Sequence, residues 1–386
     1  MTIKNIQDIV LPASGSVVVV FVSGVTGQDG SHMVDYLLKN VPNAINAIII
    51  GGARRLSVDN HKNIAHLEGE SRFQLVNFDL TDSHSIYKLM ECAQPDYFIN
   101  FAAQSFVASS WDFARQTWQT NSTAILDCLE AIKRVKPTCR FYNAGSSEEF
   151  GNVAYSPQDE KHPARPRSPY GASKSAARTL IKVYRESYGI YAVQGWLFNH
   201  EGTRRGEQFV TRKITKAVNR IWKEIKLNKA AIPNVTPLEL GNIDAKRDWS
   251  DAEDMVDAVW RMLNQDRYTH DCSVAEIDYL IDKRAISKYI KDYVCSSNEC
   301  HTIREFIELS FKEVGIVGEW RGSGIDEVYV YNDIVVMKIN PQFYRPAEVE
   351  TLMGDSSEIR KDLGWNPKTS FTELITKMVK NDLTKS

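Results

Sequence analysis

The stretch that decides the fold is Val17–Gly30, which reads V-V-V-V-F-V-S-G-V-T-G-Q-D-G. Its first half is a run of mostly β-branched residues and predicts a buried strand. The glycines that follow have the spacing G-x-x-G-x-x-G, and the candidate residues of this turn are Gly24, Thr26, Gly27, Gln28, Asp29 and Gly30. Such a turn lets the backbone approach a dinucleotide diphosphate, which the N-terminus of the next helix attracts. A glycine-rich turn without a ligand is the alternative interpretation.

The alternation of strand and helix continues through the first half of the chain and predicts a doubly wound parallel sheet with helices on both faces. The predicted strands are Ser16–Val22, Ala44–Ile50, Phe73–Phe78, Asp96–Ala102, Arg140–Ala144 and Ala192–Phe198. The helices predicted between them are Ser31–Lys39, Ser83–Cys92, Thr120–Val135 and Pro169–Tyr188. Later helices are predicted at Phe209–Ile225, Asp251–Leu263, Ile303–Val314, Asp355–Leu363 and Phe371–Asp382.

We therefore expect an α/β protein with a Rossmann-type domain and a smaller domain. A loose N-terminal tail is predicted over residues 1–15, the dinucleotide-binding domain over 16–205, and a mostly helical substrate domain over 206–386. Segments of the chain are expected to cross between the two domains. A ligand site is expected in the cleft between them, because domain interfaces are common places for such sites.

Composition and charge exclude several classes of protein. In 386 residues, 47 Lys and Arg stand against 49 Asp and Glu, a formal net charge of −2. This balance argues against a nucleic-acid binder that acts through a bulk basic field. No apolar run approaches the length that crosses a bilayer, and the glycine turn after the first strand argues against a signal peptide. The 6 cysteines form no C-x-x-C and no zinc-like cluster, so we expect no metal and a reduced, cytoplasmic protein.

The end of the second predicted strand carries two adjacent arginines, Arg54 and Arg55. A cofactor with a free ribose 2′-hydroxyl usually meets a carboxylate at this place, whereas guanidinium groups suit a 2′-phosphate. The pair therefore favours NADP over NAD, and a solvated basic loop is the alternative. Asp79, after the third strand, could accept the adenine amino group or cap the turn at Thr81–Asp82.

A candidate catalytic group follows the fifth predicted strand. Tyr170 and Lys174 are at positions i and i+4 of a predicted helix, so the phenol and the ammonium share one face. A nearby cation favours the ionised phenol, which can take a proton from a sugar hydroxyl. Ser146 could bind the same hydroxyl, and Glu148 could remove a proton next to a carbonyl. Alternatively, Glu148 and Glu149 are solvated charges of a turn, an interpretation that suits Glu149 better.

With these features the chain resembles the extended short-chain dehydrogenase/reductase family and, within it, the GDP-mannose 4,6-dehydratases. The resemblance runs from about residue 18 to the C-terminus. The strings that carry it are Asn100–Ser105 (N-F-A-A-Q-S), Arg167–Ala172 (R-S-P-Y-G-A), Leu197–Glu201 (L-F-N-H-E), Arg204–Gly206, Phe209–Lys213 (F-V-T-R-K), Gly241–Asn242, Asp244–Trp249 (D-A-K-R-D-W) and Arg345–Val349 (R-P-A-E-V).

The resemblance implies an NADP-dependent hydro-lyase that converts GDP-mannose to GDP-4-dehydro-6-deoxy-mannose and regenerates its cofactor in every turnover. Tyr170, Lys174 and Ser146 would act in the oxidation at C4. Glu148 would take the proton from C5, after which the C6 hydroxyl leaves as water and hydride returns to C6. The resemblance also implies a homodimer or homotetramer and a role in deoxysugar synthesis, for example toward GDP-fucose.

The resemblance further implies the binding residues. Besides the glycine turn and the arginine pair, the implied cofactor contacts are Asp79, Leu80, Phe101, Ala102, Ala103, Gln104, Ser105, Tyr170, Lys174, His200 and Arg205. The implied nucleotide-sugar contacts are Ser147, Asn199, Lys213, Asn242, Arg247, Arg345 and Glu348. A salt bridge between Arg247 and Asp248, and a helical i,i+3 pair of Arg345 with Glu348, are the structural alternatives.

The chain departs from the pattern of this family at several places. Ser146 replaces the usual threonine, Glu149-Phe150 replaces Leu-Tyr, and Gln116 lies where a tyrosine is expected. Arg267–Lys291 looks like an insertion, and the loop Asn228–Pro237 is longer than expected.

Three competing functions remain open at this point. The first is a 4,6-dehydratase of another nucleotide sugar, such as a GDP-heptose. The second is a GDP-4-keto-sugar reductase or epimerase, and Glu148 argues against it because those reactions need no base at C5. The third is a non-catalytic NADP-binding regulatory subunit, which would be expected to lose at least one of Ser146, Glu148, Tyr170 and Lys174.

Overall fold

The predicted alternation of strands and helices is present in the computed structural model, which describes residues 1–12, 17–41, 47–58, 60–227, 235–265, 289–344 and 351–384. The chain divides into two units that interleave in sequence. The first contains Met1–Phe198, Ala252–Cys295 and Asp355–Asn366, and the second contains Asn199–Asp251, Ser296–Gly354 and Pro367–Ser386. Two later segments therefore return to the first unit, and its first segment ends at Phe198, before the predicted boundary at residue 205.

Seven parallel strands form the sheet of the first unit, in the order β11-β6-β5-β4-β1-β2-β3. The strands are β1 Val18–Ser23, β2 Ala47–Ala53, β3 Phe73–Asn77, β4 Tyr97–Asn100, β5 Arg140–Ala144, β6 Ala192–Leu197 and β11 Val294–Cys295. The helices of this unit are α1 Gln28–Asn40, α2 Ser83–Ala93, α3 Ala114–Trp118, α4 Ala124–Val135, α5 Pro169–Tyr188, α7 Ala252–Met262 and α9 Ser357–Leu363. The Rossmann-type fold is confirmed.

Side chains of the central strand β1 divide between two apolar cores because successive residues of a strand point to opposite faces. Val20 and Val22 join one core, to which α1 and α7 contribute. Val19 and Phe21 join the other, to which α2, α4 and α5 contribute. Burial on both faces explains why the strand is a continuous apolar run rather than an alternating one.

The first twelve residues are not the loose tail that the sequence predicts. Lys4 forms a bridge to Val76 in β3, with its N–H donating to the Leu75 carbonyl at 2.9 Å. Ile6 is buried, and the Gln74 side chain binds the backbone of Val10 through both of its ends. The reason is that β3 is an edge strand, whose unpaired backbone groups gain partners from this segment.

The second unit contains helices and three small sheets. Its helices are α6 Val210–Leu227, α8 Ile303–Glu313 and α10 Phe371–Thr384. Its strands are β7 Asn199–Glu201, β8 Leu238–Leu240, β9 Lys246–Arg247, β10 Trp249–Asp251, β12 His301–Thr302, β13 Glu319–Arg321, β14 Val328–Tyr331, β15 Ile334–Ile339 and β16 Thr351–Leu352. The four-stranded sheet β13-β14-β15-β8 corrects the prediction of a mostly helical domain.

Apolar residues from all three helices and from the four-stranded sheet form the core of the second unit, including Val218, Phe306, Met337 and Met378. No helix in the described ranges combines the length and the apolar character that crossing a membrane requires. Residues 267–288 of the predicted insertion, and residues 228–234 of the longer loop, lie outside the described residues.

Candidate functional site

The glycine turn joins β1 to α1, as predicted. Gly24 has a φ of +67°, and a Cβ at this position would lie 2.8 Å from the Ala102 nitrogen, so the turn needs glycine here. Gly27 is the N-cap residue of α1 and has no side chain that could cap the helix. An N-terminus without a side-chain cap offers backbone N–H groups and a positive dipole end, which fits the diphosphate of a dinucleotide.

The segment after β4 lies beside this turn. The Ala102 N–H donates to the Ser23 hydroxyl at 3.3 Å. The Gln104 backbone is held on both sides by the side chain of Asn121, through two hydrogen bonds of 2.9 Å. The Gln104 Oε1 atom is buried and accepts no hydrogen bond from the described residues, which fits an acceptor for a ligand. Phe101, Ala103 and the exposed Ser105 belong to the same segment, so the structure brings the predicted β1 and β4 cofactor residues together.

The arginine pair follows β2, and both side chains are exposed. Arg54 and Arg55 line a cavity of about 460 Å³ together with Asn77, His61 and Ile3, which lies near the N-terminus. The Arg55 N–H donates to the Asn77 side chain at 3.1 Å, which fixes the start of the loop. Within the described ranges neither guanidinium has an ion-pair partner, and this fits an anionic ligand group.

Two residues after β3 have roles in the fold. The Asp79 carboxylate accepts hydrogen bonds from the Thr81 N–H at 2.9 Å and from the Thr81 hydroxyl at 2.7 Å. The turn-capping alternative for Asp79 is therefore present in the structure, and an adenine contact stays a prediction. Leu80 is buried in an apolar core, so only its backbone could serve a cofactor.

The candidate catalytic residues gather at the carboxyl end of β5. Ser146 and Glu148 lie on the turn after this strand, and Tyr170 and Lys174 lie in the first turns of α5. The Lys174 ammonium donates to the Ala144 carbonyl at 2.7 Å and lies 5.8 Å from the centre of the Tyr170 ring. The structure thus brings the phenol and the ammonium to one face, as predicted.

Glycine at position 171 allows α5 to approach this turn. A Cβ on Gly171 would lie 2.5 Å from the Glu148 carbonyl oxygen. The helix begins with Pro169, and the Ser168 hydroxyl accepts from the Gly171 N–H at 3.0 Å. Cap, proline and glycine together fix where Tyr170 lies relative to the turn.

Lys174 has an unusual electrostatic environment. Burial lowers the pKa of Lys174 to about 8, and the negative charges of Glu149 and Asp29 oppose this shift. An ammonium with a lowered pKa releases and regains its proton within the neutral to mildly alkaline range. Lys174 can therefore support a phenolate and also take part in proton transfer.

Glu149 is not a solvated charge, so the alternative interpretation of this turn is wrong for the residue that it suited better. Its side chain is fully buried and makes an ion pair with Arg178 on α5, with 2.6 Å between Arg178 Nε and Glu149 Oε2. Burial of a carboxylate requires such a partner. Ser147, a predicted substrate contact, is also buried, with 4% of its surface exposed.

A chain of buried polar side chains crosses the carboxyl end of the sheet. The Ser23 hydroxyl donates to Asn100, Asn100 donates to Asn143 at 2.8 Å, and Asn143 donates to Gln194 at 2.6 Å. These residues lie on the neighbouring strands β1, β4, β5 and β6. Sequence analysis missed them, although a polar residue within each apolar run was a visible signal.

The remaining predicted cofactor residues lie in the second unit. His200 and Asn199 belong to β7, which pairs in parallel with β10. Arg205 makes an ion pair with Glu201, with 2.9 Å between Nε and Oε2, and its guanidinium lies 3.6 Å from the centre of the Phe209 ring. Contacts of these residues with a cofactor or a substrate stay predictions.

Three predicted substrate residues are also placed in the second unit. The Lys213 ammonium donates to the Glu239 carbonyl at 2.8 Å and lies 3.8 Å from the centre of the Phe343 ring. Partial burial lowers the pKa of Lys213. The Asn242 side chain accepts from the Asp244 N–H at 3.0 Å, and Arg247 is buried within β9.

Arg345 and Glu348, the last predicted substrate residues, lie outside the described residues. The proposed salt bridge of Arg247 with Asp248 is not what holds this carboxylate: Asp248 accepts hydrogen bonds from Ser297 and Asn298. Burial raises the pKa of Asp248 to about 6.

Solved structures with the same fold include two complexes with a nicotinamide cofactor. The dTDP-glucose 4,6-dehydratase DesIV from Streptomyces venezuelae, solved with NAD and TYD, has a TM-score of 0.73 at 19% identity, covering 94% of this chain and 96% of its own. RMD from Pseudomonas aeruginosa, complexed with NADPH, has a TM-score of 0.68 at 22% identity, covering 95% and 99%. At these identities the likeness shows a shared fold.

Sequence comparison identifies the family. The family model described as GDP-mannose 4,6 dehydratase matches residues 21–286 and 273–378. A GDP-mannose 4,6 dehydratase from Drosophila melanogaster is 38% identical over 375 residues, covering 95% of this chain and 86% of that protein. GDP-mannose 4,6-dehydratase from Vibrio cholerae serotype O1 is 36% identical over 384 residues, covering 95% and 93%. The chain therefore belongs to the GDP-mannose 4,6-dehydratase family.

Proposed function

We propose that this protein converts GDP-mannose to GDP-4-dehydro-6-deoxy-mannose with NADP as its cofactor. Family membership supports the reaction, and one observation at the site carries the proposal. Ser146, Glu148, Tyr170 and Lys174 lie together at the carboxyl end of β5, in the same unit as the glycine turn. This set contains a base for a hydroxyl proton and a separate carboxylate for a carbon acid.

The oxidation at C4 needs removal of a hydroxyl proton. Tyr170 is the proposed base, and the Lys174 ammonium stabilises the phenolate that must form. The Ser146 side chain is proposed to hydrogen-bond the same sugar oxygen. Lys174 is itself fixed by the Ala144 carbonyl, which keeps the cation beside the phenol.

The elimination of water needs a second base. A ketone at C4 acidifies the neighbouring C5–H, and Glu148 is proposed to take that proton before the C6 hydroxyl leaves. A reductase or an epimerase acting at C4 has no use for this carboxylate. Glu148 thus supports a dehydratase over the other reactions of this fold.

When bound, a nicotinamide cofactor supplies the hydride acceptor for C4 and the hydride donor for C6. The glycine turn and the α1 N-terminus are proposed to hold its diphosphate, and the Gln104 segment lies beside them. Arg54 and Arg55 support NADP, because two guanidinium groups at the end of β2 suit a 2′-phosphate. In the second unit, Lys213, Asn242 and Arg247 are proposed to bind the nucleotide sugar.

The test is mass spectrometry of GDP-mannose incubated with the pure protein and a catalytic amount of NADP. The expected product has lost one water, with no net accumulation of NADPH. Unchanged GDP-mannose, from folded protein shown to bind NADP, would contradict the substrate assignment. Parallel incubations with other GDP-sugars would then identify the substrate.

A further inference from the structure

Ser146–Glu149 form the turn that follows β5 and carries Ser146 and Glu148, and we call it the catalytic turn. Glu149 belongs to this turn, and its side chain is buried. Its Oε1 atom accepts from the Ser146 N–H at 2.9 Å, from the Gln194 amide at 3.1 Å and from Arg178 Nη2 at 3.1 Å. Its Oε2 atom accepts from Arg178 Nε at 2.6 Å. The Ser146 hydroxyl in turn accepts from the Glu148 N–H at 3.2 Å. The side chains of Ser146 and Glu149 therefore each bind a backbone N–H of this turn.

Arg178, the ion-pair partner of Glu149, is itself held in place by other residues. It lies on α5 at position i+4 from Lys174, so both side chains extend from the same face of the helix. Its Nη1 atom donates to the Gln194 carbonyl at 2.6 Å, and its guanidinium lies 3.4 Å from the centre of the Trp196 ring. Asp292 Oδ2 is 3.6 Å from the same nitrogen.

We infer that Glu149 is a positioning residue: it holds the Ser146–Glu148 turn against the helix that carries Tyr170 and Lys174, and it supplies a buried negative charge beside Lys174. The inference rests on the proposed dehydratase function for its catalytic consequence. A leucine at this place would leave the Ser146 N–H without this acceptor and Arg178 without its carboxylate. This chain therefore orients its catalytic turn by an ion pair.

The charge of Glu149 has a predictable effect on Lys174. Burial is the main cause that lowers the pKa of Lys174, and Glu149 is the stronger of the two negative groups that oppose it. The other is Asp29 on α1, and Tyr170 faces Lys174 from its own helix. Without the Glu149 charge, the Lys174 ammonium loses its proton at a lower pH.

Two substitutions separate the two contributions of Glu149. Glu149→Gln keeps an oxygen acceptor for the Ser146 N–H and removes the charge. We expect the alkaline limb of the kcat profile to move down by about one pH unit, with KM for GDP-mannose changed by less than about twofold. Glu149→Leu also removes the acceptor, and we expect kcat to fall about a hundredfold because the turn shifts.

A matched control lies on the same helix. Glu186 is exposed on α5, where it is 3.9 Å from Lys182, and Glu186→Gln removes one carboxylate charge from the surface. This control should keep the wild-type pH profile. If the Leu variant does not fold, the Gln variant alone still tests the inference.

A second measurement does not depend on activity. Lysine labelled with ¹³C at Cε allows the titration of Lys174 to be followed by NMR in the protein without added ligands, with assignment by Lys174→Met. The Glu149→Gln variant should move the Lys174 titration to lower pH, and Glu186→Gln should not. An unmoved titration together with an unmoved pH profile would overturn the inference. A moved titration in a protein that does not dehydrate GDP-mannose would overturn the proposed function and leave the positioning role standing.

Discussion

Replacing Gly171 by alanine tests how closely α5 must approach the catalytic turn. A Cβ at this position would lie 2.5 Å from the Glu148 carbonyl oxygen. Carbon and oxygen atoms in favourable contact are about 3.3 Å apart, so the helix or the turn must move by about 0.8 Å. The movement would separate Tyr170 and Lys174 from Ser146 and Glu148.

The size of the effect follows from this displacement. Misplacement of reacting groups by about 1 Å can cost about a hundredfold in rate, so we expect kcat to fall between about tenfold and a hundredfold. KM for GDP-mannose should change little, because Gly171 contacts the turn rather than the proposed binding residues of the second unit. Helix propensity favours the substitution, because alanine in a helix is more stable than glycine by about 1 kcal/mol of unfolding free energy.

The assay is steady-state kinetics by chromatography of the GDP-sugars, with thermal unfolding measured on the same samples. Gly315→Ala is a suitable control, because a Cβ there meets no atom of the described residues within 4 Å while the φ of +76° is strained for alanine. The control should lose stability and keep kcat. If Gly171→Ala kept its kcat and unfolded at a higher temperature, the close approach would have no catalytic importance.

Three further variants, one of them a double substitution, provide additional tests. Glu148→Gln should permit oxidation at C4 and block water loss, so a single turnover should raise the NADPH absorbance and give no dehydrated product; dehydration at the normal rate would contradict the base assignment. A double Arg54→Ala, Arg55→Ala variant should weaken NADP binding by about a hundredfold and NAD binding much less, measured by calorimetry; equal losses would contradict the 2′-phosphate site. Burial raises the pKa of Glu160 to about 7, so its contribution to stability is present at low pH and is lost as pH rises from about 4.5 to 7. Glu160→Gln should remove this dependence, a difference on the order of 3 kcal/mol in unfolding free energy between the two pH values, and parallel pH curves for both proteins would contradict it.

The first unit could be predicted from sequence because its strands are buried on both faces. An apolar run such as Val18–Val22 has no alternative position in a folded domain. The predicted second strand, Ala44–Ile50, ends three residues before the observed strand β2, Ala47–Ala53. The prediction stopped at Ile50 because Gly51 and Gly52 are poor strand formers. The sheet overrides that preference by pairing Gly51 with Leu75 in β3.

The second unit was predicted less well, although a signal was present. Asn332 and Asp333 have φ values of 47° and 59°, and they join β14 to β15. Two such residues between apolar runs are typical of a tight hairpin. Attention to this pair would have predicted two strands of the four-stranded sheet.

The environment of the candidate site could be predicted only in part. Tyr170 and Lys174 are close in sequence, so helical periodicity was sufficient to place them together. Glu149 depends on Arg178, which lies 29 residues later, and nothing local indicates that pairing. Partners distant in sequence decide whether a charge is buried, and a single chain does not reveal them.

The hydrogen-bonded side chains of Ser23, Asn100, Asn143 and Gln194 constrain how this protein can change over time. Each member shares a hydrogen bond with a side chain from a neighbouring strand, so replacing one by an apolar residue leaves a buried polar group without its partner. A substitution that fails alone can succeed when the adjacent position changes with it. Laboratory evolution of the carboxyl end of the sheet should therefore advance through paired substitutions, and libraries that vary one of these positions at a time should return mostly inactive protein.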